Sequence, residues 1–417
     1  MEKKRVNRLG LIETLKREFS FFTGNYRILV ISWMIMDLAG EMPTPNFQFY
    51  VEALGGTAAT LGLIGLARWL GLAFVSFPGG YLADKYGRRW LVSTMTFGMA
   101  AIQILFALAP SWHFLLLGTI MSSFCLIYQP ALFAMFQDSL PKEQKGTASA
   151  IVELIHSTFN TPGPLIAGLL LYQFGLVTSM KIIYLIVGLC IFAAAVLRLK
   201  LNETMDNVEE MRFRYFLSSY PKAIKENFKV WKAVPRSMFW LFVAQTIFWF
   251  EVSHIEVINA IYARDVLGIL ENQWWLVFIP LSLTMIVFSY PIGKFIDRTK
   301  RKTPLLLGLA TWCLMNILFV NGDLTTVIFS MCLLGISILL ILSTTQALIS
   351  DLVPPESRGK INGFTNFVGY IMSALGAFLG SFFYTTLFPQ MPFYVNLILA
   401  IPLLIIFIFF ITEPKKR

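Results

Sequence analysis

Several ionisable side chains stand inside stretches that are otherwise apolar, and their spacing limits the chemistry open to them. Asp37 and Glu41 are four residues apart in the run that begins at Arg27, so they share one helical face. Glu153, His156 and Asn160 follow at i, i+3 and i+7, and Glu251, His254 and Glu256 fall in the run 237–259. Arg68 is the lone base of the run 59–82. Counting about 1.5 Å per residue from Arg27 puts Asp37 about 15 Å into a bilayer, close to the midplane. Ionisable groups at that depth face a water-filled path or a partner. Burial also moves carboxylates towards the neutral range where histidine already titrates, which suits proton carriage. Asp37, Glu41, Arg68, Glu153, His156, Glu251 and His254 are therefore the expected substrate or proton site.

Other readings of these residues stay open. Arg68 could pair with Asp37 or with Glu41; if Glu41 takes it, Asp37 is left with no basic partner. Glu256 could simply be solvated at the outer mouth. Paired Glu-x-x-His segments (Glu153 to His156, Glu251 to His254) can build a dinuclear carboxylate metal site, but that needs glutamates from two further helices. No metal and no cofactor is expected.

Such residues need apolar helices to hold them at depth, and the composition supplies those. Of 417 residues, 56% are hydrophobic and 14% charged, with a mean hydropathy of +0.67. Globular domains carry about 25% charge, so the class is a polytopic membrane protein. Apolar spans fall near 27–50, 59–82, 90–109, 114–136, 148–172, 178–198, 237–259, 273–293, 304–321, 325–349, 361–387 and 392–412, each able to cross about 30 Å of hydrocarbon. An even number of spans puts both termini on one side. All of the 34 Lys and Arg except Arg68, Lys181 and Arg264 also lie there, which makes it the cytoplasm. The net charge of +10 is thus topology, and no nucleic-acid partner is implied. Residues 1–26 read as a cytoplasmic amphipathic segment, with Ile12, Leu15, Phe19 and Phe22 on one face. A charged linker covers 199–236, and 413–417 form a tail. Cys125, Cys190, Cys313 and Cys332 sit inside spans without metal or disulfide spacing. No Walker loop, dinucleotide fingerprint or nucleophile elbow is present, so no enzyme is expected.

The chain also repeats itself. Gly80, Asp84 and Arg89 of the turn GGYLADKYGRRW recur 213 residues later as Gly293, Asp297 and Lys302. At that same offset Asp138, Pro141, Glu143 and Gly146 recur as Asp351, Pro354, Glu356 and Gly359. Matched loops at one offset mean a duplicated architecture. His254 falls on Glu41 by this register, and Glu251 one residue beyond Asp37.

Two six-span halves, a long central loop and the turn Gly80, Leu82, Asp84, Lys85, Gly87, Arg88, Arg89 closely resemble the major facilitator superfamily of secondary transporters. The second copy is degenerate, with Lys300 where the second glycine belongs. The resemblance implies an all-α membrane protein of twelve transmembrane helices in two pseudo-symmetric six-helix bundles, 27–198 and 237–412. It also implies that Asp84 caps a helix start in the other half and that Arg88 reaches a neighbouring acid, together gating the cytoplasmic side. Pro162, Gly163, Pro164 and Gly168 form an expected kink in the fifth span that resembles the antiporter motif of drug-exporting members. The fourth span lacks the arginine those members carry in their proton relay, so Arg68 or a histidine would have to replace it. The reading is proton-coupled export of amphipathic or cationic compounds across the cell inner membrane by a monomer. A divalent-metal exporter and an importer of sugars or organic anions, with Arg68 as anchor, are the alternatives.

Overall fold

The computed structural model describes residues 22–140, 152, 155–156, 158–205 and 235–412, and within these the side chains of 77–86 and 355–356 are outside the description. The amphipathic segment, most of the linker, the tail and Glu153 lie beyond the described residues. Every regular element described is helical. Hydrocarbon offers no hydrogen-bond partners, so a spanning backbone must satisfy itself. Ten of the described helical segments are long and apolar enough to cross a membrane.

The first expected span departs from a continuous helix. Gly24–Gly40 is helical, a turn follows at Glu41, Thr44–Asn46 forms a 3-10 turn, and Phe47–Ala53 resumes as a helix. Pro43 and Pro45 remove two backbone donors and clash with the preceding turn, which stops the helix there. The seventh span breaks at the corresponding depth, with Arg236–Glu256 followed by a separate helix Asn259–Asp265. The fifth span differs as well. Its hydrogen-bond pattern is interrupted at Thr161, which keeps helical torsions (φ −62°, ψ −38°), and the helix Pro162–Phe174 follows. Proline is well placed in a first turn, where its missing donor would be unpaired anyway.

Small residues set the packing. Gly62 and Gly65 of the helix Ala58–Tyr86 lie against Ser381 and Ala377 of Pro355–Thr386, and the Ser381 hydroxyl donates to the Ala58 carbonyl. On its other side Pro355–Thr386 presents Gly376 and Gly380 to the backbone carbonyls of Phe250 and His254. A methyl group at Gly380 would overlap the His254 oxygen. Gly380→Ala is therefore expected to destabilise the protein by about 1–3 kcal/mol, read as a lower melting temperature in detergent. Gly293→Ala, where nothing lies within 4 Å, is the control expected to stay close to wild type.

The repeated turn keeps its ion pair in both copies. Gly87 has φ 87°, a conformation that favours glycine, and it lets Arg88 start the next helix. Arg88 pairs with Asp138 and donates to the Thr204 hydroxyl at 3.0 Å. At the same 213-residue offset Arg301 pairs with Asp351 at 3.0 Å. Lys300 is tolerated because the second turn is made through extended Thr299 (φ −109°), with no left-handed residue.

Candidate functional site

A cavity of about 650 Å³ lies between the two halves of the chain. Its wall from the first half carries most of the polar groups, among them Asp37, Glu41, Gln48, Gln103, Thr119 and Ser122, set between apolar side chains such as Phe47, Ile64 and Phe106. The facing wall is aromatic and aliphatic, with Phe278, Trp312, Phe319, Met331, Leu334 and Phe393, broken by Glu256 and Asn259. A ligand with one polar or charged end and one apolar body fits such a two-faced site.

Asp37 lines the cavity, and His156 backs it from the fifth span without itself lining the cavity. The His156 Nδ1 lies 2.5 Å from Asp37 Oδ2, an ion pair whenever the imidazole is protonated. Trp33 packs on the imidazole with ring centroids 5.2 Å apart and fixes its tilt. Glu41 stands at the helix end created by Pro43 and is exposed to the cavity. Gly163 makes room for that break, since a Cβ there would sit 3.1 Å from the Met42 nitrogen. Gly168 lies against the Trp275 indole of the other half. Asn160 lines the cavity beside Asp37.

Two expected pairings are corrected. Arg68 takes neither Asp37 nor Glu41: it pairs with Glu256 of the second half at 3.4 Å. Asp37 is accordingly not without a basic partner, because the fifth span brings His156 to it. Glu256 is not merely solvated, as it lines the cavity and faces Arg68. Glu251 and His254 are fully buried (0% exposed) and absent from the cavity lining. No group of three or more metal-ligating side chains occurs among the described residues, which do not include Glu153.

Of the turn residues, Arg89 donates its backbone N–H to Glu203 at 2.9 Å and its guanidinium to the Leu199 carbonyl at 2.9 Å. Asp297 is exposed. The Asp84 side chain and the surroundings of Gly80 lie outside the description.

The end opposite these turns is tied across the halves. Arg264 reaches Glu52 of the first half at 2.7 Å and holds Asp265 at 2.7 Å and Glu271 at 2.9 Å. The Gln48 amide donates to the Glu256 carbonyl at 3.0 Å. In the sequence Arg264 stands out only as one of three bases off the cytoplasmic side, which is the available signal for this latch. Burial outweighs the pull of Arg264 and holds the Glu52 carboxyl above its usual range. A closed latch therefore binds a proton more readily than an opened one. This contribution to closure is complete below the ordinary value of 4.5 and fades as pH rises through the raised value. Acidification through that window is expected to increase the closed fraction, measured as spin-label distances between Leu54 and Leu267 positions. Glu52→Gln should remove the dependence.

A helical membrane bundle with a central two-faced cavity between its halves has the architecture of a transporter. The profile of the Major Facilitator Superfamily matches residues 29–270 and again 241–417, so the chain belongs to that superfamily of multi-pass membrane transporters. It is 25% identical over 365 residues to the multi-drug resistance efflux pump PmrA of Streptococcus pneumoniae serotype 4, covering 85% of this chain and 88% of that protein. It is 26% identical over 261 residues to the multidrug resistance protein MdtG of Serratia proteamaculans, covering 59% of each. Among solved structures, the nucleoside transporter NupG superposes with a TM-score of 0.72 at 14% identity, covering 93% of this chain and all of NupG. A bacterial homologue of the lysosomal transporter Spinster does so at 0.68 and 16% identity, covering 93% of this chain and 95% of its own.

Proposed function

We propose that this protein exports amphipathic cations in exchange for protons, by alternating access of two six-helix bundles (27–198 and 237–412) with both termini in the cytoplasm. The carrying observation is the cavity itself, with Asp37, backed by His156, and Glu41 on one side and a mainly aromatic and aliphatic wall opposite. The printed names of the PmrA and MdtG relatives, both multidrug proteins, support the substrate class.

The coupling follows from competition. A proton on the pair makes His156 an imidazolium matched to Asp37. An organic cation entering the cavity offers Asp37 and Glu41 another positive partner, so bound cation and bound proton exclude one another electrostatically. Each half-cycle then carries one or the other. By the positive-inside rule the latch of Glu52 and Arg264 is at the outer face, so the geometry corresponds to a cavity shut towards the outside. Arg68 is already engaged by Glu256, which removes the anchor that an anion importer would need.

Proteoliposomes with a pH dye inside test the reading. A lipophilic cation should drive a pH change, and a divalent metal alone should not. Silence with the cation would sink proton-coupled cation export; a response to metal alone would favour a metal exporter.

A further inference from the structure

We infer that Glu251 and His254 make a second proton-binding site, sealed inside the second half and separate from the cavity. Its role in transport rests on the proton-coupled reading above; its existence does not.

Both side chains stand on the last turns of Arg236–Glu256, just before that helix breaks at Val257. Both are fully buried. The Glu251 carboxyl and the His254 ring make no well-formed hydrogen bond; their nearest polar neighbours are the Trp312 indole N–H, the Asn396 side chain and the Pro392 backbone. So many poorly paired polar atoms at one buried spot are rare, because each is costly. Together they mark a place built to hold something.

The groups facing the pair say what. From Lys302–Val320 come the Trp312 indole N–H, which approaches the Glu251 carboxyl, and the Cys313 thiol. From Met391–Ile405 come Asn396, whose amide donates to the Glu251 carbonyl at 3.1 Å and whose side chain approaches His254, and the Pro392 backbone. From Pro355–Thr386 comes the Phe383 ring, 5.7 Å from the imidazole, and from their own helix Phe250, stacked at 5.1 Å. Apart from the pair itself, Cys313 is the one titratable group here, and no lysine, arginine or other acid faces either side chain among the described residues. A carboxylate stripped of water with no cation beside it is strongly disfavoured. The pair therefore carries one proton on Glu251 opposite a neutral imidazole. Trp312, which borders the cavity, separates it from the substrate.

The break at Val257 supplies the release. When the helix shifts and water enters, the carboxyl O–H bond breaks and the proton passes to a water molecule, leaving a hydrated carboxylate and a hydronium ion, with charge conserved.

Infrared spectroscopy of the full chain in lipid nanodiscs tests this without transport. A carbonyl stretch of a neutral carboxyl is expected at neutral pH in wild type, lost in Glu251→Gln and kept in Asp37→Asn. A wild-type spectrum without that band overturns the site even if Glu251→Gln does not fold, and so does a band that survives Glu251→Gln. In proteoliposomes Glu251→Gln should lower the protons moved per cation from two to one; an unchanged count overturns the coupling role. If the band behaves as expected but wild type moves no protons at all, the site stands and the antiport reading falls.

Discussion

Asp37→Asn is expected to abolish cation-driven proton movement while leaving the protein folded. Asparagine keeps the shape and the hydrogen-bonding reach of aspartate, but it cannot be charged and cannot match a protonated His156 at 2.5 Å. Loss of a group that directly handles the proton costs on the order of a hundredfold or more in rate, so the pH signal should fall at least that far. The variant should still unfold near the wild-type temperature, because the side chain borders the cavity and packs against no core cluster. Adding His156→Asn should cost little further, since the two residues act as one unit. Wild-type proton flux in the single variant would remove Asp37 from the coupling path.

Arg264→Ala is expected to open the latched end. The guanidinium bridges three acids at once, Glu52, Asp265 and Glu271, and its side chain is 29% exposed against 21% for Glu52. Removing one partner of a largely desolvated pair leaves the other charges facing one another, with a cost of about 2 kcal/mol or more. At about 1.4 kcal/mol per tenfold, the ratio of closed to open conformers should fall roughly thirtyfold. Labels at Leu54 and Leu267 would report longer distances, while Arg264→Lys should recover part of the closed population. An unchanged distance distribution would show that the Gln48 contact and the packing of Gly62 and Gly65 close this end unaided.

Much of the architecture was legible before any coordinates. Apolar runs separated by charge must be helices in a bilayer, and a 213-residue repeat in two loops declares two similar halves. The structure adds an ion pair to that repeat: Asp138 maps on Asp351, and their arginines, Arg88 and Arg301, obey the same offset. The helix breaks were partly legible. Pro43 and Pro45 announce the first, whereas the break at Val257 has no proline to announce it.

Pairing was not legible, because it depends on rotation and depth of helices far apart in sequence. Arg68 has Asp37 and Glu41 on the preceding span of the first half, yet it faces Glu256 across the interface; the glycine contacts of the helix bearing it turn that face to the second half. His156 reaches Asp37 because Gly163 lets the fifth span approach the broken first one. Sequence alone therefore determined the class of protein, its helical segments, its duplication and the short set of residues able to carry protons. Tertiary structure alone decided which of those residues meet in the cavity, which are sealed away from it, and which end of the molecule is latched. The physical reason is that hydrophobicity and periodicity are local properties of the chain, whereas an ion pair or a buried proton site exists only where several helices place their faces together.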